Sequence, residues 1–274
     1  LAPFEGLHRR TGYTTLAAVR AAIADFPSAE AGILPLALDD GAQPQGALRS
    51  AEKLLADKRV AAIVGPLSPE LAAAVTPLQA AAALPWYSPH SIAGSDWAEG
   101  LVAAAGSLAR RQGAQSLVIA GWTPGWPHLA PSRWAEIAGL PVRLHDDPAA
   151  VGPQTAVFWM GSAEDGANYL GELRRAHPAA PFVLGPQGED PVFAERVLGN
   201  GGGLDYTHWT TWTDAGYTAW TVDHSIESPN AYLAYRAASA ALQAAAGHSR
   251  TAPPSSWVVQ LFRYDDRGNS FPAE

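Results

Sequence analysis

The chain contains no cysteine, which excludes disulfides, thiolate nucleophiles and Cys-based zinc sites and leaves the compartment open. Charge is sparse, at 16% of residues, and leans acidic, with 18 Lys plus Arg against 26 Asp plus Glu. Without a basic footprint, neither nucleic acid nor an anionic membrane is an expected partner. No run of about eighteen apolar residues occurs, so no helix is expected to span a membrane. His-Glu-x-x-His is missing and the eight histidines are scattered without ligand spacing, so no metal and no cofactor are expected. Gly-x-Ser-x-Gly is missing as well, so no serine has the setting of a nucleophile. Asp39-Asp40 and Asp265-Asp266 read as turn acids. Gly199-Asn-Gly-Gly-Gly203 lies between a helix and a strand, the reverse of a phosphate loop, and reads as a helix stop.

What is present is apolar and periodic. Hydrophobic residues make up 47% of 274 residues, enough for a substantial core in one large α/β domain or two lobes. Leu16, Val19, Ile23 and Phe26 keep helical spacing, predicting a helix over 12–25. Ile33–Leu38 reads as a strand closed by Asp39-Asp40-Gly41, and Pro44 opens the next helix. Val60–Val64 and Leu84–Tyr87 read as strands around a helix opened by Pro69. Further strands are expected at Ser116–Ala120, Pro141–Leu144, Thr155–Met160, Phe182–Leu184, Leu204–Thr210 and Trp257–Tyr264, with helices between them. Alternation of this kind predicts parallel sheets covered by helices on both faces. Roughly ten strands divide better into two lobes of about four to six than into one sheet. The least patterned long stretches, 93–100 and 213–230, are the expected crossings between lobes. Leu1-Ala-Pro-Phe4 reads as the tail of a strand, with an upstream segment expected to have been removed.

Two strand ends carry polar turns, Gly65-Pro-Leu-Ser-Pro69 and Tyr87-Ser-Pro89. Backbone N–H groups opening the segments behind such turns point at whatever occupies the strand ends. Side by side, they make a place for a polar small molecule. Trp86, Trp97, Trp122, Trp126, Trp209 and Trp212 lie near strand ends or crossings. They either form an aromatic cleft or fill core and interlobe gaps.

Several segments, in order, resemble the periplasmic solute-binding proteins of branched-chain amino-acid ABC transporters, the type I periplasmic binding protein family. These are Ala2-Pro-Phe-Glu-Gly6, Leu38-Asp-Asp-Gly41 with Pro44 and Ala51–Asp57, Ile63–Ser68, Leu84–Pro89, Phe182–Gly188 and Ala231–Tyr235. The resemblance covers nearly the whole chain. It implies two Rossmann-like lobes with parallel central sheets joined by a hinge, divided as 1–98 plus 214–252 and 99–213 plus 253–274. It implies no catalysis, a small-molecule ligand captured between the lobes, and a membrane permease of an ABC importer as partner. It further implies a monomer at the periplasmic or extracellular face of the membrane, lipid-anchored through a removed N-terminal segment. A sensory or regulatory ligand-binding domain of the same fold is the alternative.

The positions that match the family's ligand contacts are Ser68, Ser88, His90, Ser91, Trp126, Gln187 and Gly188, with Phe4 and Glu5 at the rim. Trp126 stands where an aromatic caps the ligand, with Trp122 second. His90 is either a donor or titrating group in the second loop or an ordinary surface histidine. Pro69 and Ile92 occupy positions where the family commonly has hydroxyl residues, and Ser162 replaces a tyrosine. Gln187 stands where a glutamate takes the ligand's ammonium. A neutral amide attracts an ammonium far less than a carboxylate does. Free leucine and valine are therefore expected to bind weakly, and leucine-type ligands become one option beside a related amide or aromatic compound.

Overall fold

A helix forms at each amphipathic or Ala-rich segment, and several open on a proline that pre-sets the first turn. The computed structural model describes residues 1–27, 32–94, 96–247 and 257–273. In chain order the elements are α1 (Arg9–Ala24), α2 (Pro44–Ala56), β1 (Ile63–Val64), α3 (Pro69–Ala81), β2 (Trp86–Tyr87) and α4 (Trp97–Arg111). There follow β3 (Ser116–Ala120), α5 (Pro131–Ala138), β4 (Val142–Leu144), β5 (Thr155–Trp159), α6 (Ala163–Ala176) and β6 (Phe182–Leu184). The chain ends with α7 (Pro191–Gly199), β7 (Thr207–Thr213), α8 (Tyr217–His224), α9 (Pro229–Ala245), β8 (Val258–Tyr264) and β9 (Ser270–Pro272). α8 falls in a stretch read as unpatterned, because its eight residues bury only Trp220. β9 escapes sequence reading for its length, three residues returning antiparallel on β8 after the Asp265–Gly268 turn.

The chain forms two compact units, Leu1–Ser95 with Trp212–Val258, and Asp96–Thr211 with Val259–Glu274. Where the sequence reading cuts after 98, 213 and 252, contacts divide the chain after Ser95, Thr211 and Val258. Position 252 lies outside the described residues.

In the first unit β1 pairs parallel with β2. On its other side the Leu1 amine donates to the Val64 carbonyl at 2.7 Å, and Ala2 makes a parallel bridge with Asp39. The order is therefore the 38–40 segment, residues 1–3, β1, β2. The strand expected at Ile33–Leu38 is not formed. Pro35 has no N–H to give a neighbour, and Leu34 and Leu36 are 85% and 55% exposed. Ala47, Ala51, Leu54, Ile63, Leu71, Val75 and Trp86 form the core here. α1 packs on α9, and its buried residues are Gly12, which lies against the Pro3 carbonyl, Thr15, Ala18 and Ala22, while Leu16, Val19 and Ile23 are only half-buried. Ala18 joins Ala231 and Tyr232 of α9 and Trp220 of α8 in one buried cluster.

The second unit holds a seven-stranded sheet, order β4-β3-β5-β6-β7-β8-β9, whose pairs from β4 to β7 are parallel. β5 is buried along its whole length and β6 likewise, as a parallel sheet covered on both faces requires. Its core centres on Val157, Trp159, Leu170, Phe182, Phe193, Trp209 and Phe262. Each such side chain, fully buried, stabilises by roughly 1.5–3 kcal/mol.

Candidate functional site

In an open parallel sheet the crevice for a ligand opens outside the carboxyl ends of the strands, where the chain reverses its direction of winding. In the first unit that reversal lies between residues 1–3 and β1. The residues that follow are Phe4 and Glu5 on one side and Gly65–Ser68 on the other. In the second unit it lies between β3 and β5, followed by Gly121-Trp122 and by Met160-Gly161-Ser162.

The first-unit crevice is built from short polar links. Phe4 and Glu5 donate their backbone N–H groups to one oxygen of Asp39, at 2.6 and 3.2 Å. Asp39 thus shapes the rim, a role hidden behind its reading as a turn acid. Gly65 has φ +97°, and a Cβ there would stand 2.1 Å from the Leu1 carbonyl oxygen, so only glycine fits. Its carbonyl accepts from Trp86 Nε1 at 2.6 Å and from the Ser88 hydroxyl at 3.5 Å. Ser91 donates to the Ser88 carbonyl at 2.7 Å. Ser68 caps α3, its hydroxyl oxygen accepting from Leu71 N at 3.2 Å, which leaves its O–H as a donor. Burial pushes His90 down to about 4, against the opposing effect of a hydrogen bond with the Leu67 backbone. At neutral pH it is an uncharged imidazole. Ser68, Ser88, His90 and Ser91 are therefore brought together around Gly65 and Leu67.

In the second unit Gln187 donates Nε2 to the Trp159 carbonyl at 2.8 Å. A Cβ placed on Gly185 would meet Gln187 Oε1 at 2.8 Å and Trp126 Cη2 at 3.2 Å, so these two side chains converge over Gly185. Trp126 is 4% exposed and packs against Trp97, at 4.7 Å between ring centroids, and Phe158, at 6.0 Å. Trp122 is 41% exposed, its ring meeting His128 edge-on. Gly188 lies hard against Trp209, where a Cβ would stand 2.2 Å from the Trp209 Cβ, and its carbonyl accepts from the Tyr264 hydroxyl. Ser162 accepts from Asp165 N at 3.0 Å and donates to Asp165 Oδ2 at 2.7 Å, capping α6. Asp146 carries its Oδ1 to the N–H of Gly121, 2.7 Å away, across the end of β3. Nothing in the motif pattern marked it. Among the described residues no cluster of His, Asp and Glu could hold a metal ion, and no helix is long and apolar enough to cross a membrane.

The fold recurs in solved structures. A leucine binding protein from Thermotoga maritima superposes with TM-score 0.70 at 13% identity, covering 100% of this chain and 96% of that one. A periplasmic binding protein type 1 from Bordetella pertussis gives TM-score 0.67 at 15% identity, covering 99% and 98%. The fold is that of the type I periplasmic binding proteins. A third type I structure, a branched-chain amino acid transporter substrate binding protein from Streptococcus pneumoniae in complex with isoleucine, gives TM-score 0.68 at 14% identity, covering 99% and 97%. No family model matches the chain, and no curated protein matches its sequence.

Proposed function

We propose that this chain is a solute-binding protein, which takes up a small molecule outside the cell membrane and delivers it to the permease of an ABC importer. The observation that carries this reading is the repetition of one design. Each unit has a winding reversal in its strand order, followed by Gly65–Ser68 in the one and by Gly121-Trp122 in the other. The type I fold supports the reading, since the Streptococcus pneumoniae protein of that fold was solved with isoleucine.

Ligand binding to the folded state alone raises stability by RT ln(1 + [L]/Kd), about 3 kcal/mol at 100 times Kd. A thermal-shift panel of amino acids, amides, aromatic acids and aliphatic amines therefore tests the proposal. At least one class is expected to raise the melting temperature by several degrees, in a concentration-dependent way. Leucine is expected to give little, because Gln187 is neutral and directs its amide nitrogen to Trp159. A panel without any saturable shift would remove the solute-binding reading.

A further inference from the structure

We propose that Arg236 is the common anchor of β7 and β8, the two neighbouring strands that carry the chain from one unit to the other. It is a conformational device that fastens both strands to α9 through one guanidinium. The proposal goes beyond the solute-binding reading and does not depend on any ligand.

β7 and β8 are neighbours in the sheet of the second unit, yet each runs past the boundary of that unit, which falls after Thr211 in β7 and before Val259 in β8. Asp214 follows the last residue of β7, and Trp257 precedes the first residue of β8. Arg236, in the middle of α9, meets both. Its Nη1 donates to Asp214 Oδ2 and, at 3.0 Å, to the Tyr232 hydroxyl. Its guanidinium carbon lies 5.4 Å from the centre of the Trp257 ring and 5.7 Å from that of Tyr232. α9 itself packs on α1, β1 and β2, so the anchor is seated in the body of the first unit.

The Asp214 contact is built around a charge. The side chain of Asp214 is 2% exposed, whereas the acids of the other ion pairs among the described residues are 27% exposed or more. Its Oδ1 accepts from Gly216 N at 2.8 Å and from the Tyr232 hydroxyl at 2.5 Å. A Cβ on Gly216 would stand 2.8 Å from that hydroxyl, so a larger residue would push the turn after β7 off the network. A carboxylate this far from water depends on its cation, because removing one partner leaves the other charged, buried and unpaired. Trp257 is held by a different force, the attraction of a cation to the face of an indole. One side chain thus makes two chemically distinct contacts, one at each strand, where the strands pass into the first unit.

Hydrogen exchange of the whole protein, read by mass spectrometry on segments 212–217 and 257–260, tests the anchor. Arg236→Met is expected to speed exchange at least tenfold in both segments and to leave α2 and β5 unchanged. Should that variant not fold, Arg236→Met combined with Asp214→Asn leaves no buried charge unpaired and is expected to give the same pair of changes. Arg236→Lys separates the two contacts. Its ammonium still meets Asp214 but has no planar face to lay on Trp257, so only 257–260 should exchange faster, at least threefold. Acceleration confined to 212–217 in the methionine variants, or spread evenly over the first unit, would reduce Arg236 to an ordinary ion pair and overturn the proposal. A lysine variant that protects both segments as the parent does would overturn it too.

Discussion

Ser68 shows how one side chain can serve the fold and the crevice together. Its hydroxyl oxygen accepts from Leu71 N, one of the amides that a helix start leaves without an internal partner. Ser68→Ala is therefore expected to cost about 1 kcal/mol whether or not a ligand is present. Urea unfolding of the free protein checks this, and an unchanged midpoint would mean the cap contributes nothing. Ser68, Ser88 and Gly65 were legible from sequence because strand-end turns have residue preferences that are local. Asp39 and Asp146 were not. Each acts on a backbone amide far along the chain, 35 and 25 residues away, and no local pattern encodes such a partner. The aromatic residues divide by environment in the same way: Trp126 packs among Trp97, Phe158 and Gly185, while Trp122, four positions earlier, reaches solvent.

Helices and strands are held in place by contacts that propensity does not express. Arg174, at the end of α6, donates to the Ala180 carbonyl at 2.5 Å, the Asp205 carbonyl at 2.8 Å and the Thr207 hydroxyl at 3.2 Å. One guanidinium thus ties α6 to the segments leading into β6 and β7. Burial lowers it to about 10, partly opposed by Asp205, so it remains charged at neutral pH. Lysine has one nitrogen and no planar fork. Arg174→Lys should lose one or two of these bonds and destabilise the protein by about 1–3 kcal/mol. Denaturant titration of the variant tests it; a loss below a few tenths of a kcal/mol would show that the fork is dispensable.

At the scale of the molecule, pH reaches both units through partly buried histidines. His90 in one and His208 in the other are each pushed down to about 4, by burial first in both cases. A lowered base means that the unfolded chain takes up protons before the folded one does. Their contribution is therefore full above pH 6.5 and is lost as pH falls from there towards 4. The slope is at most about 1.4 kcal/mol per pH unit for each histidine, less where solvent screens the charge. Stability measured at pH 7.5, 6 and 5 should fall faster for the parent than for a His90→Gln, His208→Gln variant. Parallel curves for the two proteins would exclude this origin.

The alternation of helix and strand periods by itself determined an α/β chain with parallel sheets, because the two periods differ and each is written in local spacing. It also marked the turns at Gly65–Ser68 and Ser88–Pro89, whose proline and serine chemistry is local. Only the tertiary structure decided that Ile33–Leu38 forms no strand and that α1 buries Gly12 and Ala18 more deeply than Leu16 and Val19. Only it could bring Asp146 to Gly121, or leave the buried Tyr169 hydroxyl without a hydrogen-bond partner among the described residues. Periodicity records which kind of element forms, whereas the residues it buries and the partner each polar group meets depend on where the rest of the chain has packed.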